Sequence, residues 1–303
     1  MGPTIRIRIA ALGVALLALG CSVNAIAPIN TPSGPVTVTL NSRGIPIDAQ
    51  PVAKEVGLVD LSPGRVTRVD YVVRTRMTPA GQPPSDWSET RFARVLTIMG
   101  EETPVAGGET YRVEESIDPE HPENVLRHDL WRQDKAGLFN FQADLAPSAM
   151  RLTAGRLVLD DPARAAQVAR ALAVVEAKRA AIQGRVPRAL ARRGPLPEEI
   201  TFLRYPLHPN ASWDGRPGFN VWYFEAWEDL ATPAGAFRAA RVRIDVPGQL
   251  GPNDVVQAWW AAPGETQRHY HIFADLEDET GQVTGTFEAD ETFVVTSYET
   301  QPL

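Results

Sequence analysis

From Arg65 to Thr78 the chain alternates, with Val69, Tyr71, Val73 and Met77 on one parity and Arg68, Asp70, Arg74 and Arg76 on the other. That is the period of a strand with one covered and one wet face. Similar runs predict strands at Glu89–Met99, Glu109–Ser116, Val125–Gln133 and Leu138–Ala143, punctuated by Gly107-Gly108 and by Asp134-Lys-Ala-Gly137. Short gaps between consecutive strands favour antiparallel hairpins. The texture then changes. Asp161-Pro162 opens an Ala-, Arg- and Lys-rich run, Ala163 to Gln183, which stops at Gly184; aspartate at the N-cap, proline at the first position and glycine beyond the end predict one long helix. Its apolar stripe is Val168, Leu172, Val175 and Ile182, widened by Ala165 and Ala169.

Strands resume at Thr201–Tyr205. The segment Phe219–Val246 reads as a hairpin turning at Thr232-Pro-Ala-Gly235, with Val242, Ile244 and Val246 opposite Arg241, Arg243 and Asp245. Its first strand carries Trp222, Tyr223, Phe224 and Trp227, too many large rings for one face, so both of its faces are expected to be partly covered. Further strands are predicted at Asp254–Ala261, Gln267–Ala274, Gln282–Ala289 and Glu291–Tyr298. The fold expected is mainly β: a single large curved antiparallel sheet, a half-open barrel, with one long helix packed on its concave face.

The N-terminus adds an address. Arg6 and Arg8 precede an apolar run, Ile9 to Leu19, which is too short for a membrane span but has the length of a signal-peptide core. It ends in Leu17-Ala-Leu-Gly-Cys21, which resembles the lipobox of bacterial lipoproteins, and Cys21 is the chain's one cysteine. The resemblance implies a lipidated Cys21 after a leader at residues 1–20; an ordinary secretory signal cut after Ala25 or Ala27 is the alternative. Ser22 lacks the aspartate associated with inner-membrane retention, so the resemblance implies an outer-membrane lipoprotein facing the periplasm. Residues 21–61, rich in Pro, Asn, Ser and Thr, read as a lipid-anchored tether, in which Val36–Leu40 is open to being an added edge strand. Residues 62–303 are then the β-rich domain with a helical insertion at 161–184. Without disulfides it must stand on its core, and its length permits that.

Charge narrows the partners. The formal net charge is −7, and loss of Arg6 and Arg8 with the leader takes it to −9. An acidic chain with no basic, aromatic-interleaved stripe is a poor nucleic-acid binder. A basic segment holding Arg185, Arg188, Arg192 and Arg193 reads either as a solvated surface or as a contact for anionic lipid heads.

Catalytic signals are sparse. No GxSxG, SxxK, Walker or GxGxxG pattern occurs, and no cofactor is indicated. His269 and His271 sit two apart on a strand and point the same way, a zinc-like pair if His208 or Asp275 folded beside them. Carboxylate pairs (Glu101 with Glu102, Glu114 with Glu115, Glu228 with Asp229, Glu288 with Asp290) would serve a hydrolase only if two of them faced across a cleft. The aromatics say more: Trp213, Trp222, Phe224, Trp227, Trp259 and Trp260 crowd one stretch, as plain core or as the lining of a ligand cavity. Trp222, Phe224, Trp259 and Trp260 are the candidates for that lining.

The segments Leu207–Trp213, Thr232–Phe237 with Val242, Trp260–Gly264 and Val294–Tyr298 resemble the extracytoplasmic lipoproteins whose fold is similar to the LolA, LolB and LppX group. In those relatives a Gly-Val-Gly turn follows the aromatic-Ala-Pro-Gly strand end; here Glu265-Thr266 stands in its place. The resemblance implies a half-open barrel over a helical lid that holds a hydrophobic small molecule or lipid, and it transfers no functional residue. A structural or protein-interaction module with a filled core, and a metal-dependent or carboxylate hydrolase, are the alternatives.

Overall fold

A computed structural model describes residues 25–31, 34–40, 46–47, 57–104, 108–142, 162–184 and 199–300. The leader, Cys21 and the basic segment 185–193 lie outside the described residues. The chain divides into two compact units, residues 1–49 and 50–303. In the first, β1 (Ala25–Thr31), β2 (Gly34–Leu40) and β3 (Pro46–Ile47) form a three-stranded antiparallel sheet in that order. Val36–Leu40 therefore pairs within this small sheet.

The second unit is a nearly closed barrel of twelve antiparallel strands with one long helix packed against it. The strands are β4 (Arg65–Pro79), β5 (Ser88–Glu102), β6 (Tyr111–Asp118), β7 (His121–Asp134), β8 (Gly137–Gln142), β9 (Ile200–Arg204), β10 (Ser212–Arg216), β11 (Asn220–Thr232), β12 (Gly235–Asp245), β13 (Val255–Ala261), β14 (Gly264–Glu277) and β15 (Val283–Thr300). The sheet runs β10 to β15 and then β4 to β9. The last strand thus pairs with the first, Thr300 opposite Arg65 and Gly285 opposite Pro79. The seam falls between β9 and β10, where the Trp213 indole Nε1 donates to the Thr201 carbonyl at 3.2 Å.

Alternation sets which residues face inward. On β4, Val69, Val73 and Met77 are buried while Arg68 and Asp70 are exposed, as the sequence pattern predicts. Arg65, Thr67 and Thr75 share the buried parity, so the interior is not purely apolar. One reading is corrected. The strands expected at Gln282–Ala289 and Glu291–Tyr298 are one, β15, because the intervening carboxylates end no strand and instead face cross-strand partners.

The crowding of rings on β11 is resolved by a bulge between Phe224 and Ala226. The extra residue shifts the parity, so Trp227 packs edge-on against Phe224 with ring centroids 5.6 Å apart. On β10, Gly215 is needed for space: a Cβ there would lie 2.2 Å from Trp222 Nε1.

The helix α1 (Pro162–Ile182) buries Val168, Ala171, Val175, Ala181 and Ile182 in the same core as Tyr270, Ile272 and Leu276 of β14. Polar contacts fix its position. Lys178 Nζ donates to Asp254 and to the Phe273 carbonyl, both at 2.8 Å, and Arg179 donates to Glu291 at 2.8 Å. The last carbonyls of a helix lack intrahelical partners. Asn220 Nδ2 satisfies those of Ala181 and Ile182 at 3.3 and 2.7 Å, while the Arg216 guanidinium donates to the Gly184 carbonyl at 3.0 Å. Gly184 adopts φ 64°, the left-handed turn that ends the helix. Among the described residues no helix is long and apolar enough to cross a membrane.

Candidate functional site

Inside the barrel lies a cavity of about 80 Å³ between two chemically different walls. One wall is aromatic. Phe202 of β9 sits at its centre, edge-on to Trp131 of β7 (5.0 Å), Trp222 of β11 (5.1 Å) and Trp260 of β13 (5.3 Å). Strands from both sides of the seam contribute these rings, so the cluster ties the barrel across its break. The Nε1 atoms of Trp222 and Trp260 are buried without hydrogen-bond partners.

The rest of the lining is largely charged. Arg65 of β4, Arg94 of β5, Arg127 of β7, Arg179 of α1 and Arg268 of β14 all belong to it, with Glu114, Glu265 and Glu291. Arg65 pairs with Glu114, which also accepts from the Trp131 indole at 3.4 Å, and Arg127 pairs with the buried Asp129. Glu291 takes Arg179 at 2.8 Å and Arg268 at 2.9 Å, and Arg268 reaches Glu265 at 2.8 Å.

These environments push the two central glutamates in opposite directions. Burial raises the pKa of Glu114 above the usual carboxylate value, against the pull of Arg65. Burial also works against the charge on Glu291, but Arg179 and Arg268 outweigh it and hold its pKa down. Burial lowers the pKa of Arg94, whose guanidinium lies beside the Phe92 and Tyr71 rings, 5.2 and 5.9 Å from their centroids.

Residues 57–62 strap one end of this space, placing Val59 and Leu61 on the cavity. Gln133 Nε2 donates to the Val59 carbonyl (2.9 Å), Asp60 N donates to the Ala262 carbonyl (2.9 Å), and Tyr298 OH donates to Asp60 Oδ2 (2.8 Å). Burial and the Asp60 hydrogen bond push the Tyr298 hydroxyl up to about 12.

Of the four candidate lining residues, Trp222 and Trp260 line the cavity, and Phe224 is buried in the same core. Trp259 faces the other way, packs with Ala239 and Ala261, and donates from Nε1 to Glu228 at 2.7 Å. The arginine wall was missed by reading for motifs. Its signal is a charge placed on the apolar parity of a strand: Arg94 lies in register with Phe92 and Leu96, Arg268 with Tyr270 and Ile272, Glu291 with Phe287 and Phe293.

His269 and His271 alternate with the inward-facing Tyr270 and Ile272, so they occupy the opposite face of β14. Neither His208 nor Asp275 joins them; Asp290 of β15 does. His269 Nε2 lies 3.0 Å from Asp290 Oδ2 and His271 Nε2 lies 3.3 Å from Glu288 Oε2. The ligand atoms of His269, His271 and Asp290 fall within 4.8 Å of one another, which offers a cation three ligands on a half-exposed surface. Of the other carboxylates singled out, Glu101 is held by Arg112 (2.8 Å), Glu228 by Arg241, Asp229 by Arg238 (3.3 Å) and Glu288 by Arg76 (2.8 Å).

No protein-family model and no curated protein matches this chain. Among solved structures it is similar to a proposed lipoprotein from Parabacteroides distasonis at 11% identity, covering 80% of this chain and 98% of that one, with a TM-score of 0.31. A proposed exported protein with a YmcC-like fold from Bacteroides fragilis matches at 11% identity over the same shares, with a TM-score of 0.29. Lipovitellin matches at 9% identity over 80% of this chain and 26% of that one, with a TM-score of 0.27. At such scores none of these likenesses carries an argument about ligand or activity.

Proposed function

We propose that this chain is an outer-membrane lipoprotein, anchored through Cys21 and facing the periplasm, which binds a hydrophobic or amphiphilic ligand inside its barrel without chemically altering it. The observation that carries this reading is the mixed lining of one cavity: clustered rings from four strands together with guanidinium groups from five elements. Apolar surface beside convergent polar groups is the general make-up of a small-molecule site; at about 80 Å³ the space is below the usual size of such sites, so a lipid-sized ligand enters only as the ring cluster moves apart. The Trp260 indole N–H, left without a partner, is a donor that a ligand would satisfy. The cavity's Glu291 is engaged by two arginines and its Glu114 by Arg65, which supports a binding role over acid–base chemistry.

The test is native mass spectrometry of the full chain carrying Cys21→Ser, produced in a membrane-containing host, before and after organic extraction. A stoichiometric lipid-like mass lost on extraction is expected. A clean ligand-free mass, together with no uptake of a hydrophobic fluorescent probe, would make the edge-on cluster around Phe202 a filled core and the protein an envelope interaction module.

A further inference from the structure

On β14 and β15 the residues that alternate with the core positions Tyr270, Ile272, Phe287 and Ala289 are His269, His271, Glu288 and Asp290, so four side chains able to ligate a metal share the outer face of two paired strands. His271 lies opposite Asp290 in register, and Glu288 lies two residues along, opposite Phe273. The two acids are not equivalent. Glu288 is taken by Arg76 of β4 at 2.8 Å. Arg74 stands opposite Asp290 on β4, but its ion pair is with Glu89 at 2.6 Å. Among the described residues the ion-pair partner of Asp290 is His269, at 3.0 Å. Asp290 is therefore the carboxylate free to meet a cation, and Glu288 is committed to Arg76.

Ring contacts hold the His271 imidazole. Phe273 stacks on it with centroids 4.6 Å apart, and Trp87, itself covered by the Arg76 guanidinium, lies at 6.4 Å. One ligand atom each from His269, His271 and Asp290 fall within 4.8 Å of one another. A zinc-like ion bonded at about 2.0 to 2.1 Å to each ligand holds them about 3.4 Å apart in tetrahedral geometry. These side chains are 36%, 25% and 16% exposed, so rotation can close the difference. Two imidazoles with one carboxylate suit a borderline-soft dication and suit Mg²⁺ poorly.

We propose that His269, His271 and Asp290 form a binding site for a late divalent transition-metal ion, of the zinc or copper kind, which clamps β14 to β15 on the face turned away from Tyr270 and Ile272 and leaves a coordination position to water. Glu288 is not a ligand; its 3.3 Å contact with His271 Nε2 orients the ring, and the ion takes that nitrogen over. The site is independent of the cavity and of what the cavity binds.

The full chain carrying Cys21→Ser, which removes the thiol, is prepared without a histidine tag, stripped with EDTA and titrated by calorimetry with Zn²⁺ and, separately, with Mg²⁺. Zn²⁺ should bind once per chain and at least about tenfold more tightly than Mg²⁺. His269→Gln, His271→Gln and Asp290→Asn should each weaken Zn²⁺ by about tenfold or more, and Glu288→Gln by less than about threefold. No saturable Zn²⁺ binding, or Mg²⁺ binding as tightly as Zn²⁺, would overturn the site. An equal loss on Glu288→Gln and on Asp290→Asn would overturn the ligand set. Electron paramagnetic resonance of the Cu²⁺-loaded protein gives a readout that lost stability does not imitate: the parent should show coupling to two imidazole nitrogens and either histidine variant coupling to one. An unchanged nitrogen count in both histidine variants would place the ion elsewhere and overturn the proposal.

Discussion

Arg179 of α1 donates to Glu291 of β15 at 2.8 Å, and the same carboxylate accepts from Arg268 of β14 at 2.9 Å. One buried acid therefore joins the helix to two strands of the barrel and neutralises part of the arginine wall. Replacing it leaves the Arg179 guanidinium without its carboxylate and Arg268 with Glu265 alone. Glu291→Gln should destabilise the fold by about 3 to 5 kcal/mol, the usual cost of removing one partner from a buried ion pair. Urea unfolding measures this, and a change below about 1 kcal/mol would mean that water screens the site.

Glu291 and Glu114 predict opposite pH dependences from the same ordinary value of 4.5. The folded pKa of Glu291 is depressed, so its contribution is fully present above 4.5 and is lost as the pH falls through the folded value. The folded pKa of Glu114 is raised, so the native state holds its proton longer; stability from this group is present below 4.5 and is lost as the pH rises through the folded value. Unfolding free energies measured from about pH 3 to pH 7 should show Glu291→Gln flattening the acid-side loss and Glu114→Gln removing the decline on the way up. If both variants keep the pH profile of the parent protein, other carboxylates control it.

The proposed lipid anchor at Cys21 has a test of its own, separate from the barrel. Cys21→Ser should move the protein from the membrane fraction to the soluble fraction while leaving its thermal unfolding unchanged. Unchanged membrane retention would sink the lipid-anchor assignment.

The helix end makes a local prediction. Asn220 serves two carbonyls of the last turn, so Asn220→Ala should cost about 1 to 3 kcal/mol, the range for leaving buried polar groups unsatisfied. Amide exchange should quicken first at the C-terminal turn of α1; uniform quickening throughout the barrel would point to a global effect instead.

The curved sheet and its helix could be read from the chain because their signals are local. Alternation on β4 and the Asp161-Pro162 and Gly184 boundaries of α1 need only neighbouring residues. β15 was divided in two because Glu288 and Asp290 look like turn residues until His271 and His269 are known to face them across β14. The ring wall was half legible: Trp222 and Trp260 were candidates by crowding, whereas Trp131 and Phe202 join them only through pairings of distant segments. The arginines were the least visible, since one charge per strand is ordinary. They form a wall only because β4, β5, β7, β14 and α1 turn them into one space.

Gly215 packs directly against the Trp222 indole. A Cβ on residue 215 would meet Trp222 Nε1 at 2.2 Å and Cδ1 at 2.5 Å, so the β10 backbone and the indole share a space that admits no methyl group. Trp222 is 1% exposed and cannot swing into solvent, and its ring is already held edge-on by Phe202. Gly215→Ala should therefore destabilise the protein by about 1 to 3 kcal/mol through overpacking. The double variant with Trp222→Phe separates the clash from any backbone preference. A smaller ring relieves the clash, so the second substitution should cost less in the Gly215→Ala background than alone, a coupling of about 0.5 kcal/mol or more. Strict additivity would mean that the indole lies elsewhere, and would remove Trp222 from the cavity wall.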